Sequence, residues 1–156
     1  MNFFKAVPEP FQNLIQPLAL AALREVGPDE VPILESSFAD LLEAATKAPV
    51  RNSEETLAFG TQDLVLLAPV AVLLATEAIV FLWQESKTAA TAEFVEYLRR
   101  RMRGLLKESS AKKPAPLSHE QLRRLERVLL RESKRYGLPV ELSRTVADAT
   151  IRSLVV

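Results

Sequence analysis

The stretch LVLLAPVAVLLATEAIVFLW, residues 64–83, decides what kind of fold this chain can have. It holds twenty residues with one charged side chain, Glu77, and one proline, Pro69. Twenty helical residues span roughly the 30 Å of a bilayer core, so the stretch qualifies as a membrane span by length and hydropathy. A helix that is apolar on every side is also typical of the centre of a helical bundle. The two interpretations predict different proteins.

The residues around this stretch give evidence in both directions. Trp83 at one end and the basic run RRRMR at 99–103 are typical of the cytoplasmic flank of a span. Against insertion, Glu77 would cost about 2.5 to 3.5 kcal/mol at the bilayer centre unless it faces protein or water. A helix that begins at Pro69 keeps only fifteen residues of the stretch, roughly 22 Å, which is short for a span. In a soluble bundle, Glu77 is expected to be buried and to pair with a basic residue of the second half.

Composition indicates a helical domain with a real core. The 156 residues are 48% hydrophobic, which is ample for one domain. Glycine is rare, β-branched alternation is nearly absent, and Ala, Leu, Glu and Arg are abundant, which favours helix throughout. We therefore predict an all-α fold, a helical bundle with a long central apolar helix and a C-terminal helical hairpin.

Two amphipathic helices are predicted before the apolar stretch. The first runs from residue 10 to about 26 and is interrupted by Pro17. The second runs from about residue 29 to 47, and residues 50–62 form a polar connection with about one turn of helix. After the apolar stretch the chain forms either one helix to about residue 107 or two helices with a break between 86 and 91. An unbroken helix would be roughly 60 Å long, so a break or a protruding arm is expected.

A polar segment with two prolines divides the sequence. Residues 109–117 predict a linker between a helical domain at 1–108, which contains the apolar helix, and the hairpin at 118–156. A hairpin of about forty residues is small to be stable alone, so it should dock on the rest of the chain or on a partner.

The hairpin carries clear helix start and stop signals. Ser118 with Gln121 three residues later predicts a capping box. Gly137 is predicted to end the first hairpin helix, and Pro139 to start the second.

The formal net charge of zero hides two oppositely charged halves. Residues 1–85 contain four basic and twelve acidic residues, and residues 86–156 contain sixteen basic and eight acidic ones. Such halves can attract each other within one fold, pair head to tail between copies, or present the basic half to an anionic partner.

Arginines cluster on two predicted helices of the basic half. The run at 99–103 lies on an amphipathic helix, and a row at i, i+4 spacing extends from Arg123 to Arg135. Like charges at that spacing repel, and neither Arg127 nor Arg131 has an acidic residue three or four positions away. Compensation is expected from the acidic half, from anionic lipid headgroups or from nucleic acid. The residues predicted to contact a partner or an anionic surface are Arg99, Arg100, Arg103, Arg127 and Arg131.

Catalytic and cofactor signatures are missing from the sequence. There is no cysteine, which excludes disulfides, thiolate metal sites and cysteine nucleophiles, and no GxGxxG or GxxxxGK[ST] loop. The single histidine, His119, follows a helix cap, where a surface position is expected. Glu93 and Glu96 share a helix face, but a di-metal bundle site normally needs ExxH motifs. We predict no enzyme activity, no metal, no cofactor and no small-molecule substrate.

The leading hypothesis is a non-enzymatic protein-interaction or assembly subunit, an adaptor or oligomerisation component of a bacterial-type multi-protein system. Its arginines engage the acidic surface of a partner protein or of another copy. The start of the sequence lacks the pattern of a cleaved signal peptide, and a cytoplasmic location is expected.

Two alternatives remain open. In the first, a membrane-associated helical protein, or membrane-perturbing effector, inserts residues 64–83 into the inner membrane and keeps its C-terminal half in the cytoplasm. In the second, the basic half binds nucleic acid, which is disfavoured because only Tyr97 and Tyr136 lie near the arginines to stack on bases.

Overall fold

Helices dominate the structure, a computed structural model that describes residues 9–47, 60–61, 64–65, 67–86, 91–102, 117–135 and 137–155. The six α-helices within these ranges are α1 (Glu9–Val26), α2 (Val31–Lys47), α3 (Leu67–Ser86), α4 (Thr91–Arg101), α5 (His119–Arg135) and α6 (Val140–Val155). The other described elements are a 3-10 helix, Pro28–Glu30, and two short strands, β1 (Gly60–Thr61) and β2 (Leu64–Val65). The predicted all-α bundle with a central apolar helix and a C-terminal hairpin is confirmed.

The apolar helix α3 is the centre of the bundle. Helices α1, α2, α5 and α6 all pack against it, and its residues from Ala68 to Leu82 are buried without a break. A helix surrounded by other helices has no side that needs polar residues, which explains why this stretch lacks an amphipathic period.

The first turn of α3 is capped by a carboxylate from a distant part of the chain. The N–H of Leu67 donates to both carboxylate oxygens of Glu30, at 2.8 and 3.0 Å, and the N–H of Ala68 donates to Oε1 at 2.9 Å. The third residue, Pro69, has no N–H and needs no acceptor. The negative charge also favours this end of the helix dipole. Glu30 therefore satisfies the start of a helix that lies largely in the interior.

This cap corrects the predicted start of the central helix. The helix begins at Leu67 and is 20 residues long, so the predicted start at Pro69 is wrong, and the argument against a span that depended on that start does not hold. Leu64 and Val65 precede the helix and pair with β1, opposite Thr61 and Gly60. The turn of helix predicted within residues 50–62 lies largely outside the described residues.

The apolar helix and the basic helix after it are two separate helices, which was one of the two predicted alternatives. Helix α3 ends at Ser86 and α4 begins at Thr91. Phe94 of α4 meets Phe11 of α1 and Trp83 of α3, with ring centroids 4.7 and 5.0 Å apart respectively. Trp83 thus packs in an aromatic cluster of this fold. The membrane interpretation instead placed Trp83 at the membrane–water interface.

The first two helices depart from their predicted course in small ways. Helix α1 continues through Pro17 without ending there. The second predicted helix begins as the 3-10 turn Pro28–Glu30, and α2 is kinked at Ser37, whose φ of -125° and ψ of 20° are not helical.

The hairpin forms by local signals and docks on the bundle. The capping box is confirmed: the N–H of Gln121 donates to Ser118 Oγ at 3.0 Å, and the N–H of Ser118 donates to Gln121 Oε1 at 2.9 Å. Gly137, with φ of 75°, donates to the carbonyl of Lys134 at 2.9 Å, and Leu138 donates to Ser133 at 3.3 Å. This pair of bonds is a Schellman motif, which ends α5. Helices α5 and α6 then pack on α3, and α6 also packs on α1. Of the predicted linker, the structure describes Leu117 alone.

Candidate functional site

Two buried carboxyl groups meet where α3 packs against α5. Glu77 of α3 and Glu132 of α5 are each 4% exposed. Their neighbours Thr76 and Ser133 are also buried, but each hydroxyl donates to a carbonyl one turn back in its own helix, at 2.8 and 2.9 Å. The hydroxyls are therefore satisfied locally, and the electrostatics of this region depend on the two glutamates and the arginines beside them.

Glu132 holds the basic groups that approach this region. Arg135 Nη1 lies 3.0 Å from both carboxylate oxygens of Glu132, and Arg131 Nε lies 3.5 Å from Oε2. Both arginine side chains are largely at the surface, 39% and 68% exposed, and extend inward to the carboxylate. Glu132 is thus a buried anion with two cationic partners, which the sequence analysis did not single out.

Glu77 is left without such a partner in the described part of the chain. Neither an ion pair nor a hydrogen bond joins its carboxyl group to a described residue. Burial raises the pKa of Glu77 from 4.5 to about 7, the charge of Glu132 adds to the rise, and Arg135 and Arg131 oppose it. The expected ion pair with a basic residue of the second half is not found, because the two nearby arginines bind Glu132 instead. Glu77 is a carboxyl group that holds a proton near neutral pH.

Among the described residues, two ion pairs join the acidic half of the chain to the basic half. Arg124 binds Glu85 in a bidentate manner, with Nη2–Oε1 at 2.7 Å and Nη1–Oε2 at 3.0 Å. Arg152 pairs with Glu25 across α6 and α1. The opposite halves therefore attract each other partly within one fold, one of the three alternatives left open by the sequence.

The arginines of α4 divide between surface and interior. Arg99 and Arg100 are exposed, and Arg100 pairs with Glu96 one turn back at 3.4 Å. Arg103 lies outside the described residues. Arg101, which belongs to the predicted basic run but was not selected as a contact residue, is 6% exposed and spans the junction of α4 with the end of α6.

Arg101 binds two groups that face this junction. Its Nε donates to the hydroxyl of Tyr97 at 3.0 Å, its guanidinium lies 5.2 Å from the ring centroid of Tyr97, and Nη1 donates to the carbonyl of Leu154 at 3.4 Å. A cation on one of the last carbonyls of α6 also favours that end of the helix dipole. Tyr97, which the nucleic-acid alternative needed for stacking, is engaged here within the fold.

The arginine row of α5, defined as Arg123, Arg127 and Arg131, lies on the exposed side of the hairpin. All three residues are exposed. Within the described residues neither Arg123 nor Arg127 forms an ion pair, and the long 3.5 Å contact of Arg127 Nε is to the carbonyl of Arg123. The row therefore presents cationic groups whose charge the described residues leave mostly uncompensated.

A shallow open cleft of about 230 Å³ lies beside this row, between α5 and α6. The only histidine, His119, lines it and is exposed, as predicted. Its walls mix cations with Glu126 and Asp148. No group of three metal-ligating side chains is found among the described residues.

Known proteins give no match: no protein-family model, no curated protein and no solved structure resembles the chain closely enough to be recognised.

Proposed function

We propose that the protein is a non-enzymatic assembly subunit whose C-terminal hairpin binds the acidic surface of a protein partner or of another copy. The observation that carries the proposal is the arginine row of α5. It lies on a helix that is capped at both ends and packed on α3, so its side chains project from a fixed platform. A cytoplasmic location belongs to the same proposal.

The electrostatics of the row favour binding to an anionic surface. Like charges at i, i+4 spacing destabilise a helix by about 0.2 to 0.5 kcal/mol a pair, and a bound carboxylate surface removes that repulsion. Single exposed ion pairs contribute at most about 1 kcal/mol, so a useful interface needs several arginines together and weakens with salt.

The enclosure of α3 supports a water-soluble bundle. The helix is buried over nearly its whole length by four other helices, and Glu77, the ionisable residue within its apolar stretch, faces the interior of the protein. Insertion into a bilayer would require those helices to leave α3 and to expose their own apolar faces to water.

A membrane-associated role is the second candidate, and the length of α3 favours it. Leu67–Glu85 is the one described helical segment that is long and apolar enough to cross a bilayer, although most of it is buried within the protein. The core helix of a soluble protein can be equally long and apolar. A membrane-associated role would therefore require the bundle to open and release α3.

The first experiment is fractionation of the expressed protein with separate high-salt and detergent washes, followed by light scattering on the soluble material. We expect recovery without detergent, either as an oligomer or with a co-purifying partner, and dissociation in high salt. A strictly monomeric protein with no partner would contradict the proposal. Recovery that depends on detergent would favour the membrane candidate.

A pair of variants tests whether the arginine row of α5 is responsible for the assembly. Arg123→Gln/Arg127→Gln should weaken the assembly, because it removes the two arginines that form no ion pair with described residues. The matched control, Arg24→Gln/Arg144→Gln, removes two exposed positive charges from α1 and α6 and should leave the assembly as in the wild type. Equal weakening by both variants would indicate an effect of net charge instead of a defined surface.

A further inference from the structure

The outer face of α2 is acidic and partly apolar. Asp29, Glu35, Asp40 and Glu43 are exposed, and residues 28–43 contain no basic residue. Ile33 lies among them with 41% of its surface exposed, although large apolar side chains are otherwise mostly buried in the described chain. The name acidic face of α2 is used below for five residues: Asp29 of the turn directly before the helix, and Ile33, Glu35, Asp40 and Glu43 of the helix itself. An apolar side chain with carboxylates around it is suited to contact with a basic surface that brings aliphatic stems, as arginine does.

The acidic face and the arginine row lie on two helices that do not pack extensively on each other. Helix α2 packs on α3 and α1, and α5 packs on α3 and α6, while α2 and α5 are not among the packed pairs. The ion pairs described between the two halves in this part of the chain, Glu85 with Arg124 and Glu25 with Arg152, use neither surface. Exposed charges farther apart than about 8 Å are largely screened at physiological salt. The acidic face therefore remains an exposed negative surface, and the arginine row remains an exposed positive one.

We propose that a second copy of this chain is the partner: the arginine row of α5 in one copy docks on the acidic face of α2 in another. This inference rests on the proposed function and names its partner. The contact is heterologous, since it joins two different surfaces, and it produces a closed ring or reciprocal pair if the rotation closes, or a filament if it does not. Arginine stems cover the exposed Ile33, and the carboxylates of Glu35 and Asp40 pair with the guanidinium groups.

Charge reversal on each surface tests the contact. One variant is Arg123→Glu/Arg127→Glu, and the other is Glu35→Lys/Asp40→Lys; all four side chains are exposed, so the fold should be retained. Sedimentation velocity at low salt should show self-association of the wild type, weakened on the order of tenfold or more in each variant alone because attraction becomes repulsion. A 1:1 mixture of the two variants should recover association, since every contact between unlike variants again joins opposite charges.

Two controls accompany the mixture. Thermal unfolding followed by circular dichroism should show that each variant keeps its helices. Glu141→Lys/Arg144→Glu exchanges exposed charges on α6, outside both surfaces, and should self-associate like the wild type.

The outcomes separate this inference from the proposed function. A wild type that stays monomeric but binds a different protein in a salt-sensitive manner overturns the second-copy inference and leaves the proposed function standing. A monomer with no partner overturns both. Self-association that survives the separate variants, or that the mixture does not restore, places the contact on other surfaces and also overturns the inference.

Discussion

The two sides of α5 hold the same kinds of residue under opposite conditions. On the inner side, Glu132 is buried and its charge is bound by Arg135 and Arg131. On the outer side, Arg123 and Arg127 lie in water and no described carboxylate pairs with them. A charge that the fold has already paired is less available to a partner. An exposed charge without a pair contributes little to stability, and for that reason it is the one available for binding.

The largest expected effect concerns Glu77, the inner carboxyl group that lacks a described partner. Its pKa of about 7 in the fold lies above its ordinary value of 4.5, so the folded state binds the proton more tightly than the unfolded state. The resulting stabilisation is full below pH 4.5 and is lost as the pH rises through 7. Glu77→Gln should therefore be more stable than the wild type at pH 8, on the order of 3 kcal/mol, and nearly equal to it at pH 4.5.

Urea unfolding at a series of pH values measures this difference. Glu126→Gln, at an exposed glutamate of the same helix pair, is the matched control and should follow the wild-type pH dependence. A Glu77→Gln profile parallel to that of the wild type would mean that Glu77 is ionised in the fold at neutral pH.

A smaller effect on stability is expected when the ion pair of Arg135 with Glu132, on the inner side of α5, is removed. Arg135→Gln leaves the buried Glu132 with Arg131 alone, which should cost about 2 kcal/mol because a buried charge loses its better partner. Arg135 also lowers the pKa of Glu77, so the variant should move the pH-dependent loss of stability to higher pH. Unfolding profiles provide both readouts, and a loss of stability with no such movement would separate Arg135 from Glu77.

The cap of α3 provides a third case, a carboxylate whose partners are backbone N–H groups. Glu30→Ala removes the acceptor for Leu67 and Ala68 and should cost about 1 to 2 kcal/mol. Glu35→Ala, an exposed acidic residue of the next helix, is the control and should change stability by no more than about 0.5 kcal/mol. Equal costs in both variants would show that the cap contributes nothing specific.

The smallest effect on stability is expected on the outer side. Arg127→Gln should change the unfolding free energy of the isolated chain by no more than about 0.5 kcal/mol, measured in dilute solution. The same substitution should still weaken assembly, measured by light scattering in concentrated solution. A substantial loss of stability in dilute solution would show that Arg127 is already used by the fold.

Features encoded by neighbouring residues could be predicted from the sequence. The box of Ser118 with Gln121 and the stop at Gly137 depend on side chains and backbone within five positions, and both were found as expected. The continuous apolar composition of α3 was enough to place it at the centre. The exposure of the arginine row followed from the amphipathic pattern of α5.

Features made by contacts distant in the sequence could not be predicted in this way. Glu30 caps a helix 37 residues later, so a search for local start signals selected Pro69. The partner of Arg131 was missed because Glu132 is its immediate neighbour, and adjacent residues on a helix normally point apart. The two meet only because the long arginine side chain bends back from the surface toward a buried carboxylate.

The contact of Glu30 with the start of α3 also links the opening of α2 to the exposure of two backbone amides of α3. The amides of Leu67 and Ala68 donate to Glu30, the residue directly before α2, so they are expected to exchange slowly with solvent. Whatever lifts that end of α2 from the bundle must uncover the two amides in the same event. Hydrogen–deuterium exchange at these two positions would therefore register the opening of α2, and any ligand that holds α2 in place would slow their exchange.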